Sequence, residues 1–301
     1  MQDYFVKKYC NLSQIKLYLN VKEKNSFLRY ICFIPVIKLY VNIFYDGGES
    51  LDKSSLPIGI VDSGVGGISV LKEIKKLLPK ENYLYLSDTK NAPYGTKSID
   101  EIRILTENAV KKLLTYPCKA VVIACNTATA AAIEMLRVKY PDVLMVGLEP
   151  ALRPAARHFP GRDILVLTTE ATRVTARFKR LVSEVAEKNN VVCLPTQKVV
   201  SFVEEGMTES PALVSYLKSQ LYSYRRIRFS AVILGCTHFP FAKKAIEKAL
   251  GYRPCFYDGA VGAAKRLREL LGGGNILNRS GRGGEVIWLE RDFSGYGRKM
   301  L

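Results

Sequence analysis

The feature that most constrains this chain is a strand-like run written twice. "AVVIACNT" occupies residues 120–127 and "AVILGCTH" residues 231–238, so two apolar segments 111 residues apart each end on a cysteine followed by a polar residue. A second correspondence, offset by 106, lays Ile58, Ile60, Val61 and Ser63 on Ile164, Val166, Leu167 and Thr169. Two internal matches at nearly equal offsets predict two similar α/β domains rather than a tandem array of small repeats.

From residue 56 onward, short apolar runs alternate with segments whose apolar residues fall three and four apart, the pattern of βαβ units around a parallel sheet. Strands are expected over 57–64, 82–88, 120–126, 143–149, 163–169, 191–195 and 231–237. Helices are expected over 68–78, 99–114, 128–138, 172–188, 211–224, 240–250 and 260–271. The resulting fold class is α/β, with two doubly wound parallel-sheet domains and the active site in the cleft between them. Residues 56–150 together with 251–301 make the first domain, 151–250 the second, and 1–55 an N-terminal extension.

The formal net charge of +17 raises the question of a nucleic-acid partner. The excess is spread along the chain, with eight Lys/Arg against five Asp/Glu in residues 1–55 and five against three in 272–301. The densest run, "RRIR" at 225–228, has no interleaved aromatic platform, so it reads as a solvated face and no nucleic acid is expected. A basic nucleic-acid-binding protein is the alternative from outside the enzyme class. The extension's most apolar stretch, "YICFIPVIKLYVNIFY" at 30–45, is 16 residues long and holds Pro35 and Lys38. That is shorter than the roughly 18 apolar residues a spanning helix needs, and it lies too far in for a secretory signal. No membrane span is expected, and the extension reads as carrying no function, a peripheral anchor being the alternative.

Seven cysteines (10, 32, 118, 125, 193, 236 and 255) form no CxxC pair and no metal-ligand spacing with the only two histidines, His158 and His238. Reduced thiols in a cytosol fit this better than a disulfide framework or a metal site. Gly64, Gly66 and Gly67 suggest a dinucleotide turn, but Ser69 occupies the third glycine position of that fingerprint and no cofactor follows from it.

In open parallel sheets ligands bind beyond the carboxyl ends of the strands, where Cys125 and Cys236 both fall. Asn126 and Thr127 follow one thiol, and Thr237 with Pro240 the other, as helix-start signals. Helix N-termini there favour an anion and predict a lowered thiol pKa. Two thiols on opposite sides of one substrate suit removal of a proton from one face of a carbon and delivery to the other, which is racemisation or epimerisation. Asp62 ends the first strand beside Ser63, and His238 offers the second thiol a proton partner.

"GIVDSGVGGISVLKEI" (59–74), "SDTKNAPYGTKS" (87–98), "ACNTATA" (124–130), "FVEEG" (202–206) and "GCTHFPF" (235–241) resemble, in order and rough spacing, the motif series of the glutamate racemases within the aspartate/glutamate racemase family. The likeness covers about residues 57–271. It implies a cytoplasmic, cofactor-independent homodimer that interconverts L- and D-glutamate to supply peptidoglycan synthesis, on two α/β domains related by a pseudo-twofold axis. By the same resemblance Cys125 works on the D enantiomer with Asp62 assisting, and Cys236 on the L enantiomer with His238 assisting. Substrate binding falls to Asp62, Ser63, Tyr94, Gly95, Asn126, Thr127, Thr169, Thr172, Glu204, Thr237 and His238, with Glu205 beside Glu204 leaving that register open. A two-thiol racemase of aspartate or another acidic amino acid is the nearest alternative, whereas a decarboxylase on this fold would use one thiol. The chain departs from the family pattern at Phe239, where tyrosine is common, at Thr168, where glycine is common, and at "YDGA" (257–260), where an aspartate-serine pair is usual.

Overall fold

Aliphatic runs buried on both faces form two all-parallel sheets, as expected when helices cover both sides of a sheet. The computed structural model describes residues 53–279 and 283–289; residues 1–52 of the expected extension, with Cys10 and Cys32, and the tail from 290 onward lie outside the described residues. The first sheet contains β1 (Ile58–Asp62), β2 (Tyr83–Ser87), β3 (Ala120–Ile123) and β4 (Met145–Gly147), in the order β4-β3-β1-β2. The second contains β5 (Asp163–Thr168), β6 (Asn190–Pro195), β7 (Ala231–Leu234) and β8 (Cys255–Asp258), in the order β8-β7-β5-β6. A C-terminal strand, β9 (Val286–Trp288), extends the first sheet beyond β2.

The strand orders of the two sheets correspond element by element, and so does the register. Ile58 pairs with Ala120 between β1 and β3, while Ile164 pairs with Ala231 between β5 and β7. These are the residues that the two internal correspondences align. The repeat is therefore a repeat of topology as well as of sequence.

The helices follow the expected alternation, with differences that have local causes. They are α1 (Ile68–Leu77), α2 (Ile99–Leu113), α3 (Asn126–Lys139), α4 (Leu152–His158), α5 (Glu170–Val174), α6 (Ala176–Ala186), α7 (Lys198–Glu204), α8 (Pro211–Leu221), α9 (Lys243–Leu250) and α10 (Ala260–Gly273). The single helix expected over 172–188 is two, because Thr175 leaves helical geometry and its side chain accepts the Phe178 N–H to cap α6. The helix expected from residue 240 begins as a 3-10 turn, Phe239–Ala242, before α9. Among the described residues no helix is long and apolar enough to cross a membrane.

Strand pairing also corrects the division at residue 250. Residues 255–258 pair with β7 as the second sheet's counterpart of β4, and the chain returns to the first half with α10, which packs on α1, and with β9 beyond it. At this return Gly259 lies against the backbone of Glu149, leaving no room for a Cβ, so the chain's two passages between the halves run side by side.

The C-terminal segment is fastened by a buried ion pair. Lys119 Nζ lies 2.5 Å from Glu81 Oε2, with both side chains almost fully buried, and it also donates to the Ser54 and Ile276 carbonyls at 2.6 and 2.9 Å. Glu81 Oε1 in turn accepts the Asn278 N–H at 2.9 Å. Removing one partner leaves the other charge buried and uncompensated. Lys119→Met is expected to lower unfolding free energy by about 3–5 kcal/mol in a urea titration, with β9 losing protection first in hydrogen exchange.

Candidate active site

The first rim of the cleft is built where β1 stops. Asp62 ends the strand, and its Oδ2 accepts the N–H groups of Gly64 and Gly67 at 3.1 and 2.9 Å, which fixes the small-residue turn in front of it. Burial pushes the Asp62 carboxyl up to about 6, while the His238 charge and the two amides oppose the rise. Ser63, next in sequence, donates to Cys125 Sγ at 3.3 Å.

Cys125 caps α3. Its sulfur accepts the Ala128 N–H at 3.5 Å, so the helix begins at Asn126 rather than at the expected residue 128. The lowered thiol pKa expected of a helix N-terminus is overturned for Cys125. Burial, reinforced by the Asp62 charge, outweighs the Ser63 hydroxyl and the Ala128 amide and pushes the thiol up to about 12.

The second rim carries a different arrangement. Cys236 Sγ lies 3.6 Å from His238 Nδ1, and His238 Nε2 lies 2.5 Å from Glu204 Oε1. Burial alone would lower the imidazole pKa, but bonding to Cys236 and Glu204 and the charges of both push it up to about 10. For Glu204 burial opposes ionisation, and the His238 bond and charge with the Val65 amide nevertheless hold the carboxyl below its ordinary value. Glu205 is exposed, and of the two neighbouring acids it is Glu204 that reaches His238.

Several polar contacts cross between the halves. The Val65 N–H donates to Glu204 Oε1 at 3.0 Å, Ser69 Oγ to the Thr237 carbonyl at 3.0 Å, and Thr237 Oγ1 to Asp62 Oδ1 at 3.5 Å. Thr127 Oγ1 lies 3.0 Å from both Thr169 and Thr172 Oγ1, which are 2.8 Å from each other. Tyr94 is held by its hydroxyl, which donates to Asp88 Oδ2 at 2.6 Å, and Gly95 beside it abuts Thr169 and Gln197. Asn126 is buried in the first turn of α3.

Of the residues expected to act or to bind substrate, Asp62 closes β1, Glu204 ends α7, and the others fall in the segments that follow a strand's carboxyl end. Asp88, which steadies Tyr94, and Gln197, which flanks Gly95, were not singled out. Both lie just past strand ends, and that position was the available signal. Of the cysteines read as non-catalytic, Cys118 and Cys193 are partly buried and Cys255 is exposed. His158 bonds Tyr257 at the surface.

Comparison with known proteins gives the family. Residues 58–267 match the Asp/Glu/Hydantoin racemase family over most of the chain. The chain belongs to that family. Among curated members, glutamate racemase of Clostridium botulinum (strain Alaska E43) is 42% identical over 236 residues, spanning 78% of this chain and 92% of its own. That of Clostridium acetobutylicum is 44% identical over 230 residues, 76% of this chain and 90% of its own. Among solved structures, Francisella tularensis glutamate racemase in complex with D-glutamate superposes with a TM-score of 0.71 at 27% identity, covering 82% of this chain and 94% of that one. The Thermus thermophilus enzyme in complex with beta-chloro-D-alanine gives 0.69 at 32% identity, covering 82% and 93%.

For this family member the Glu204–His238 bond makes a measurable claim. Glu204→Gln removes the anion that stabilises the imidazolium, so the His238 titration should move down from about 10 by roughly one pH unit or more. With His158 as the only other histidine, the shift can be followed by NMR of the ring protons.

Proposed function

We propose that this protein is a glutamate racemase that moves a proton across the α-carbon of its substrate with two thiols, Cys125 and Cys236. The observation that carries the reading is that equivalent ends of a duplicated strand hold the two sulfurs, each with its own polar neighbour: the Ser63 hydroxyl on one side and the His238 imidazole on the other. The clostridial relatives named glutamate racemase support the choice of substrate.

From L-glutamate, the Cys236 thiolate removes the α-proton and the electron pair left behind spreads into the α-carboxylate. Cys125, held as a thiol by its raised pKa, delivers its own proton to the opposite face. D-glutamate leaves with Cys236 as thiol and Cys125 as thiolate; one proton has been taken and one given. Reverse turnover, or exchange through His238 and Asp62, restores the starting state. The developing negative charge is met by the N–H groups at the start of α3 with Asn126 and Thr127, while Asp62, Ser63 and Thr237 hold the ammonium. The scheme uses only side chains and backbone of this chain. On the same reading the enzyme is a cytoplasmic homodimer whose D-glutamate goes into peptidoglycan.

Incubation with L-glutamate in deuterated buffer tests the reading. Optical activity should decay as deuterium enters the α-carbon, and a folded protein silent on both signals would remove glutamate as substrate. Cys125→Ser and Cys236→Ser should each lower racemisation by about a hundredfold or more while leaving the circular dichroism spectrum unchanged.

Asp62 sets a pH limb. A base, or the assistant of one, works deprotonated, so kcat/KM for D-glutamate should fall as pH drops through about 6. Asp62→Asn should lower the rate and abolish that limb.

A further inference from the structure

Buried polar side-chain atoms in folded proteins nearly always have a partner. Among the described residues, six such atoms lack both a hydrogen bond and an ion pair. One is Arg177 Nε, in a guanidinium whose other nitrogens are paired to Glu134 and Glu149. The other five belong to Asn126, Thr168, Thr196 and Gln197, which stand within three residues past, or at, the carboxyl ends of β3, β5 and β6. Gln197 contributes two of them, since neither Oε1 nor Nε2 of its amide is engaged.

The position of this amide limits what it can serve. It lies against Gly95, closely enough that a Cβ there would collide with it, and Thr169 borders the same spot. Gly95 comes from the first half and Gln197 from the second, so the amide sits in the seam of the cleft. The groups beside the thiols, namely Asp62, Ser63, Asn126, Thr127 and Thr237, suffice for the ammonium and carboxylate on the reacting carbon. Gln197 is placed instead beside Gly95 and Thr169, neither of which bonds a sulfur.

We propose that Gln197 binds the distal carboxylate of the substrate, its Nε2 donating to a carboxylate oxygen, and that it is a determinant of substrate choice in this chain. The inference rests on the glutamate reading above. A hydrogen bond from a neutral amide to an ionised carboxylate is stronger than one between neutral groups, and the buried setting strengthens it further. The ligand-free protein carries the cost of an unpaired buried amide, and substrate binding relieves it.

That cost gives the test a signature that a packing role lacks. Gln197→Met keeps similar length and volume while deleting both polar atoms. Stability of the ligand-free protein in urea should be unchanged or higher, KM for both glutamate enantiomers should rise roughly tenfold or more, and kcat should stay within about threefold. Gln197→Glu, which keeps the shape but opposes a second carboxylate, should raise KM further still. An unchanged KM in Gln197→Met with active wild type would overturn the assignment, as would a fall in ligand-free stability with kcat and KM changing together. Wild-type protein that neither racemises glutamate nor exchanges its α-proton would remove the glutamate reading and this assignment with it.

Discussion

Every strand of a parallel sheet ends at the same edge, and the rest of this structure depends on that constraint. Each half of the chain gathers its loops, helix starts and strand-end side chains along one rim. Duplication supplies two rims, and contacts such as Val65 with Glu204 and Thr127 with Thr169 bring them together. A thiol just past the end of β3 and another just past the end of β7 then stand at matching strand ends as a consequence of topology, without a long loop to carry either one.

The scaffold is repeated but the electrostatics are not. Cys125 has a hydroxyl, a backbone amide and a nearby carboxyl whose own ionisation is suppressed by burial. Cys236 has an imidazole that Glu204 keeps charged. Thr237 reaches from the second rim to Asp62 on the first, so the polar groups around the two thiols are in contact. A carbon acid placed between them meets a neutral proton donor on one side and a sulfur with a cationic neighbour on the other. Exchange in either direction requires the two sides to swap protonation states, and the unequal partners give each side its own route for doing so.

Much of this was legible in the residues because parallel strands buried on both faces leave unbroken apolar runs, and because a cysteine closing such a run twice is a conspicuous pattern. The less legible parts have physical reasons. Strand β8, "CFYD", is an edge strand with exposed and partly buried positions, and β9 has three residues, so neither shows an apolar run long enough to separate from a loop. The break at Thr175 depends on a hydroxyl choosing a backbone N–H over helical continuation. The cap on α3 is a sulfur, a group absent from the usual set of capping side chains, which displaced the helix start by two residues. Gln197 is invisible for a different reason: an amide becomes notable only when the fold seals it against Gly95 and leaves it without a partner.

The contact between Gly259 and Glu149 has a mechanical consequence. Because both covalent passages between the halves meet at one place, they act as a pin, and the easiest relative movement is rotation about it. Beyond the pin, the halves are joined by hydrogen bonds such as Val65 to Glu204, Thr237 to Asp62 and the threonine hydroxyls, by the Arg177 ion pairs to Glu134 and Glu149, and by apolar side chains of one shared core. Bridges between neutral groups are worth on the order of 1 kcal/mol each and those to charged groups somewhat more, so any parting of the rims has to break these contacts first. The same few residues that would grip the substrate therefore also latch the door through which it must pass.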